Sequence, residues 1–497
     1  MTEDIGKMIS SNPSDIYIER LVKNLRQSIG GRADRISRAG RDILVEIEQK
    51  DTEEVLSELR ENPELSIDVL RNLKIIWDKD KSFLISELRV ADYGSSILLK
   101  IGYLREKEFQ DIIDILRGLN RGATNFYPLK TGDERAYDLE LPGMMLYGCE
   151  GFNIGLYLED NSISSAFIDR AQGKVLDREF FRDLDIENLV SYMGRFDYNA
   201  GIFGELAFCR AIEELLQLEV PRRAEYLRIL ISELFRVTNH LDFLSRISEI
   251  LGNDIAANLI MIEKEDLLGM IESVTGARVI PCFCRIGGVG HRVDSDILKR
   301  IKRSLPGYSR NLKKIENLLM RNFALLERLK DLGIINSDLA HRSGISGPNL
   351  RASGSRNDLR KELGLSTYRD IHFTVPYARG GSCLDRISVR ISEIYQSLRI
   401  IRQVIEKIPV GPVVKNINLS RLNFGLIPFT SSVECPHGLF KVFGEVEGNS
   451  LRTFTVLGPS EPALSIVCNL LEGNQVDDIE IIMASLDVSG GETIDYI

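Results

Sequence analysis

The segment from Gly201 to Leu251 limits the fold more than any other part of the chain. Its apolar residues recur at helical spacing on more than one face, and Pro221 stands where a second helix can begin. A helix that is apolar all round has to be enclosed, so two long and largely buried helices are predicted at the centre of a bundle. Further helical runs at 255–275, 295–332 and 384–408 can enclose them. No fixed-period repeat and no sustained heptad occurs, which argues against solenoids and coiled coils. A chain of 497 residues also exceeds what one hydrophobic core usually organises, so two or three domains are expected.

The flanks of the bundle carry a different text. From about 16 to 120, charged helix-like runs (IYIERLVKNLRQSI, DTEEVLSELRENPEL) alternate with short β-like runs (DILVEIEQ, SSILLKIGYL), predicting a small α+β domain over 1–120 that contains the single tryptophan, Trp77. Residues 121–150 are rich in Gly, Pro and isolated charges, hold neither period, and read as a linker. In the domain that follows, 151–497, FNIGLYLEDNSISSAFIDR predicts a hairpin turning at Asp160-Asn161. The last section, from about 435, returns to β-like text (GLFKVFGEVEG, LRTFTVLG), then a helix-like stretch, PALSIVCNLLEG. The fold class is therefore α+β, with a central helical bundle and β-rich flanking lobes.

Charge and cysteine content narrow the function. Lys plus Arg total 63 against 73 Asp plus Glu, a net charge of -10, which gives no general affinity for nucleic acid or anionic lipid. No apolar run of membrane-spanning length occurs, and the opening MTEDIGKMISSNPSD lacks the pattern of an export signal, so a cytoplasmic, non-spanning chain is expected. The 7 cysteines are scattered and odd in number, which favours reduced thiols, and the one close pair, Cys282-x-Cys284, is too little for a zinc or iron–sulfur site held by this chain alone. The 5 histidines form no H-E-x-x-H, and there is no G-x-S-x-G elbow, phosphate loop or dinucleotide fingerprint. The Gly287-Gly288 pair in RIGGVGH reads as a turn.

Six strings in order stand out: GRFDY at 194–198, ELFRVTNHLDFL at 233–244, SVTGARV at 273–279, CRIGGV at 284–289, GISGPNLRASGSRNDLRK at 344–361 and GGSCLDRISVRISEIYQSLRI at 380–400. Together with the ending IIMASLD they closely resemble the large, quinone-site subunit of respiratory complex I, itself a relative of the nickel–iron hydrogenase large subunit. The resemblance runs from about 148 to the C-terminus. The N-terminal part, best at LRENPELSIDVL (59–70), resembles the small peripheral-arm subunit that some bacteria fuse in front of the large one. The resemblance implies a hydrogenase-large-subunit-like second domain.

It also implies roles for particular residues. Tyr198 matches the tyrosine that meets the quinone headgroup; a phenol is a neutral donor able to lend a proton to a reduced carbonyl oxygen, and the other reading is a core tyrosine with a bonded hydroxyl. The family's second headgroup ligand is a histidine, and Cys149 or Glu150 of LYGCEG takes its place here. The aspartate that pairs with that histidine falls at Ile250, so the pair is lost together, sparing a buried carboxylate without its partner. A histidine whose titration follows reduction of the terminal iron–sulfur cluster falls at Ile280. Arg195, Arg278 and Arg285 match arginines near that cluster, where permanent positive charge favours its reduced state; interface or surface ion pairing is the alternative. His240 is expected to be a satisfied structural histidine, and Asp358, Arg360, Asp385 and Arg390 to pair within the domain.

The hydrogenase branch places nickel on four cysteines in two C-x-x-C pairs. Here Cys149 has no partner at the first place and Asp487-Val488-Ser489-Gly490 has no cysteine at the second, which excludes that site on ligand count. The resemblance thus implies a subunit of a membrane-associated, complex I-like oxidoreductase. It holds no cofactor itself and passes electrons from a 4Fe-4S cluster on a neighbouring iron–sulfur subunit to a quinone or similar acceptor. Membrane-embedded subunits are the other expected partners, and the electron donor, whether nicotinamide, ferredoxin or a deazaflavin, binds elsewhere. The alternative is a non-catalytic coupling or scaffold subunit of a hydrogenase-related or ferredoxin-using membrane complex, with a degenerate quinone pocket.

Overall fold

The computed structural model describes residues 13–39, 42–61, 67–78, 81–90, 96–102, 139–146, 150–160, 162–170, 184–321, 323–362, 366–419 and 423–489. The chain divides into two compact units, Met1–Leu119 and Asn120–Ile497.

The first unit carries helices α1 (Pro13–Ile29) and α2 (Thr52–Glu61) and strands β1 (Ala33–Ala39), β2 (Asp42–Glu48), β3 (Ile67–Asp78), β4 (Lys81–Val90) and β5 (Ser96–Gly102), in the sheet order β1-β2-β5-β4-β3. The α1 residues Ile18, Leu21, Leu25 and Ile29 are buried at the three- and four-residue spacing that puts them on one helix face. Strand β5 is buried at every position and runs parallel to β2, the other pairings being antiparallel. Buried strands of this kind read as continuous apolar runs, which is why SSILLKIGYL was legible. The β3–β4 hairpin was not: its register breaks between Ile67 and Val69 and again between Leu70 and Asn72, and such bulges hide the period of two.

In the second unit, β6 (Leu139–Leu146), β7 (Glu150–Glu159) and β8 (Ser162–Arg170) form an antiparallel sheet. The expected hairpin is present, with Asp160 at φ 48 in its turn. Strand β6 falls inside the stretch read as a linker. Its register shifts between Leu141 and Met144, where Pro142 and Gly143 interrupt the alternation, so the strand is invisible to a periodicity reading. Residues 103–138 lie outside the described residues.

Next come α3 (Ile186–Met193), α4 (Gly201–Leu215), α5 (Arg222–Ile250), α6 (Asp254–Thr275) and α7 (Ser295–Leu319). Pro221 does precede the first turn of α5. Helix α7 buries Leu298, Ile301, Leu305, Tyr308, Leu312, Ile315 and Leu319 as one stripe; its Pro306 is on the exposed side, where the surrounding chain tolerates it. Helices α8 (Phe323–Asp331), α9 (Ser337–Arg342), α10 (Gly347–Ala352) and α11 (Leu359–Glu362) are short, and α12 (Cys383–Lys407) returns through the bundle against α5 and α7. Ser382 and Asp385 close the start of α12 in a reciprocal capping box, so Asp385 serves the helix terminus.

The RIGGVGH segment is a tight hairpin of β9 (Cys284–Arg285) and β10 (Gly288–Val289). Gly287 turns at φ +89, and a β-carbon on Gly288 would stand 2.1 Å from the Val413 carbonyl, so glycine is required at both. A second antiparallel sheet, β11 (Phe424–Glu434), β12 (Leu439–Gly448) and β13 (Ser450–Leu457), lies on α4, where Phe208 meets Phe429 and Phe454 edge-on at 6.0 and 6.1 Å. Helices α13 (Ser460–Ser465), α14 (Val467–Leu471) and α15 (Ile479–Leu486) complete the unit.

The bundle interior is charged as well as apolar. Its largest fully buried side chains include Arg228, Arg236, Arg351, Arg386 and Arg390. Arg351 binds Glu393 and Glu434, each at 2.7 Å, and Arg360 binds Asp358 at 2.7 Å. His240 is buried and meets Glu393 at 2.9 Å; burial pushes its imidazole down to about 4, so it is held neutral. These are the structural roles the sequence suggested for His240, Asp358 and Arg360.

Candidate functional site

The GRFDY string forms the link between α3 and α4. A single 3-10 turn, Gly194–Phe196, ends at Asp197, whose backbone is extended at φ -147. The Asp197 carboxylate accepts from the Asn199 amide at 3.1 Å, and the Asp197 carbonyl accepts from Ala200 N at 3.1 Å. This local turn throws Tyr198 outward, to 40% exposure, while Asp197 stays 5% exposed. Tyr198 is therefore not a core tyrosine.

Asp197, the residue before Tyr198, belongs to a buried ionic group. His437, in the tight turn closed by Cys435 and Gly438 between β11 and β12, places Nε2 at 3.3 Å from Asp197 and Nδ1 at 3.2 Å from Asp487. Asp487 follows the last turn of α15 in the left-handed conformation, φ 57, which aspartate tolerates better than most residues. Arg390 approaches Asp487 at 3.4 Å and the Asn239 amide approaches the imidazole at 3.2 Å. Burial alone would lower the His437 pKa, but the carboxylates of Asp487 and Asp197 outweigh it and hold the ring well above its ordinary value, protonated at neutral pH. Burial would likewise raise Asp487, yet His437 and Arg390 keep it well below the usual carboxylate range. The group is an imidazolium clamped between two carboxylates, one residue from a half-exposed phenol.

A second cluster lies under the loop that leads into β9. Glu205, on α4 and fully buried, accepts from the backbone amides of Cys282 (2.7 Å), Phe283 (2.9 Å) and Cys284 (3.0 Å). Burial pushes its carboxyl up to about 8, the three amides opposing that shift. Cys282 is exposed and sits at φ 45; burial and Glu205 raise its thiol, against Arg195. A groove of about 340 Å³ opens beside this loop, lined among others by Ser191, Cys282, Arg285, Gly290 and Lys415.

Arg195 and Arg285 are both exposed; Arg195 lies over the Tyr192 ring at 5.4 Å and Arg285 lines the groove. Arg278 is drawn aside by α6, bonded to Glu265 at 2.6 Å and paired with Glu272 at 3.7 Å, so its guanidinium is committed to surface pairing. Ile280 packs on Gly194, and Ile250 closes α5 against the core. Cys149 lies outside the described residues, as does the side chain of Glu150, whose backbone opens β7. Sequence reasoning missed His437, Asn239 and Glu205 and saw Asp487 only as a place without cysteine. The pieces of the buried group come from five separate parts of the chain, at residues 197, 239, 390, 437 and 487, and only the Asp197-Tyr198 neighbourhood is contiguous.

Among the described residues no three His, Cys, Asp or Glu side chains converge as metal ligands would.

Residues 251–423 match the family described as the respiratory-chain NADH dehydrogenase 49 kDa subunit. The D subunit of NADH-quinone oxidoreductase from Akkermansia muciniphila is 33% identical over 338 residues, which span 62% of this chain and 81% of that one. The corresponding D subunit of Desulforamulus reducens is 29% identical over 348 residues, 69% of this chain and 93% of that one. A C/D subunit of NADH-quinone oxidoreductase from Rhodopseudomonas palustris is 29% identical over 367 residues, 68% and 62% of the two chains. Among solved structures, a chain of the membrane-bound sulfane sulfur reductase, an archaeal respiratory membrane complex, superposes with a TM-score of 0.68 at 27% identity, covering 74% of this chain and all of that one.

A helical bundle between two β-rich lobes, with these similarities, defines the large subunit of a complex I-like respiratory complex. The chain belongs to the family of NADH-quinone oxidoreductase D subunits.

Proposed function

We propose that this chain builds the electron-acceptor site of its complex: electrons leave the terminal 4Fe-4S cluster of a neighbouring iron–sulfur subunit, docked over Arg195 and Arg285, and reduce a quinone or similar acceptor at Tyr198. The observation that carries the reading is the buried Asp197–His437–Asp487 group, whose Asp197 is the chain neighbour of the half-exposed Tyr198. Reduction of a quinone carbonyl needs a proton with each electron. The phenol donates one to the reduced quinone oxygen and recovers it through Asp197 from the His437 imidazolium, which is reprotonated from solvent before the next turnover. This His–Asp pair supplies the proton chemistry that the family assigns to a histidine absent at Cys149 or Glu150 and an aspartate absent at Ile250. Asp487 and Arg390 keep the group's net charge close to balance as the proton leaves and returns.

No helix among the described residues is long and apolar enough to cross a membrane. The reading therefore seats the chain peripherally, at the cytoplasmic face, on membrane-embedded subunits, with activity only in the assembled complex. Supporting it are the Akkermansia and Desulforamulus relatives, both named as parts of a quinone oxidoreductase.

The test is turnover of a quinone analogue by the assembled complex. Tyr198→Phe should slow it by roughly a hundredfold, the scale of a lost general acid, with the iron–sulfur centres still reducible. Normal turnover in that variant removes the role given to Tyr198. A second reading, a coupling or scaffold subunit with a degenerate pocket in a hydrogenase-related or ferredoxin-using complex, draws on the likeness to the sulfane sulfur reductase complex and on the missing headgroup histidine. It expects no quinone turnover in the unaltered complex.

A further inference from the structure

The proton carried by His437 is enclosed: Asp197, His437 and Asp487 are each 5% exposed or less. Every proton that Tyr198 gives up has to be replaced, and on the reading above the acceptor and the docked partner cover Tyr198 during turnover. A second opening to water is needed, and α5 supplies it. Asn239, Asp242 and Arg246 stand at i, i+3 and i+7 and share one face of that helix. Asn239 approaches the His437 imidazole at 3.2 Å. Phe243, next to Asp242 in the chain, lies under the Arg390 guanidinium at 4.3 Å, and Arg390 meets Asp487 at 3.4 Å. Asp242 is bracketed by these contacts, yet its side chain is 16% exposed and is bonded to Lys264 of α6, itself 19% exposed. Its carboxylate thus stands between water and the buried group.

We propose that Asp242 is the proton-entry residue of the acceptor site, taking protons from solvent and passing them to the His437–Asp487 pair. It does not touch the acceptor. For each electron that the partner's cluster delivers, one proton leaves Tyr198 for the quinone oxygen, and Tyr198 is refilled through Asp197 from His437. The neutral imidazole then takes a proton from Asp242, which returns to the carboxylate and binds the next proton from water, so that charge balances at each step. The transfer between Asp242 and the pair is one for a bridging water. The charged groups acting on Asp242 are Lys264 from α6, Asp487 beyond α15 and His437 in the turn between β11 and β12. Around them, Arg390 of α12 and Arg246 of α5 act on Asp487, and Glu249 of α5 acts on Arg246. Burial raises the Asp242 carboxyl above its ordinary value and Lys264 opposes that shift without reversing it, which suits a group that has to bind a proton. The inference rests on the quinone-reducing reading above.

The experiment is steady-state reduction of a quinone analogue by the assembled complex, from about pH 6 to about pH 10. Asp242→Asn should leave KM unchanged, while its kcat begins to fall, by about tenfold per pH unit, at a lower pH than in the unaltered complex, because uptake then depends directly on solvent protons. Formic acid added at fixed pH should restore kcat, as a small proton donor in place of the missing carboxyl. Lys264→Met removes the other half of the ion pair, raises the Asp242 carboxyl further and should move the decline to higher pH. Loss of a merely structural ion pair would move both variants the same way. An unchanged profile in Asp242→Asn, no restoration by formic acid, or a common shift in the two variants overturns the proposal. Should Asp242→Asn not assemble, Lys264→Met decides, and a decline that does not move upward overturns it. An unaltered complex that fails to reduce the quinone analogue sinks the acceptor reading itself; normal turnover there with an indifferent Asp242→Asn sinks this inference alone.

Discussion

The interior beneath the Cys282 loop and the interior between α5 and α12 each enclose a glutamate at 0% exposure, and the two behave oppositely. Glu205 meets only backbone amides, and burial wins: its carboxyl rises to about 8. Glu233 meets Arg360 at 3.2 Å and Arg236 at 3.3 Å and accepts from Ser397 and Tyr368; burial would raise it, but the two guanidiniums hold it below its ordinary value. A buried carboxylate with cations is fixed in charge and serves the fold. One with dipoles alone can exchange a proton near neutral pH and is available for function.

The contrast can be broken most forcefully at Arg360. Arg360→Met leaves Glu233 and Asp358 short of their shared cation and should cost about 3–5 kcal/mol, read as a lowered urea midpoint. The same change should bring Glu233 closer to the behaviour of Glu205, raising its pKa. Next in size is the acceptor site. His437→Gln keeps a polar group in the turn but removes the buried proton, and should slow quinone-analogue turnover by roughly 10²-fold without altering reduction of the partner's cluster.

A smaller effect concerns His240, which sharpens the structural side. Its imidazole titrates at about 4 in the folded chain against 6.5 ordinarily, so its folded pKa is depressed. Its contribution to stability is complete above pH 6.5 and is lost as pH falls toward 4. His240→Gln should start roughly 1–2 kcal/mol less stable at neutral pH and lose less on acidification than the unaltered chain, a difference visible in melting temperatures across that window. Smallest is Arg278→Met. Its ion pairs with Glu265 and Glu272 are partly exposed, so about 0–1 kcal/mol of stability and no change in cluster potential are expected.

Much of this architecture was legible because it rests on local periodicity. The buried stripe of α7, the all-round burial of α5 beyond Pro221 and the hairpin turn at Asp160 each follow from residues close in sequence. What escaped notice, β6 and the β3–β4 hairpin, is where Pro142-Gly143 or a register shift breaks the alternation that would announce a strand. In the site, Tyr198 and Arg195 were legible through the GRFDY string. His437 was one of five histidines with no motif around it, and Glu205 was one of three glutamates in a largely apolar helix.

The amino-acid sequence by itself determined the family, the α+β composition and the enclosed central helices, since each depends on residue identity along short stretches. Only the tertiary structure decided which buried charges are paired with cations and which meet dipoles alone. It alone brought residues 197, 437 and 487 together and set a lone carboxylate near Ile280. The pKa of a buried group is set by the neighbours that replace its water, and those neighbours come from distant parts of the chain.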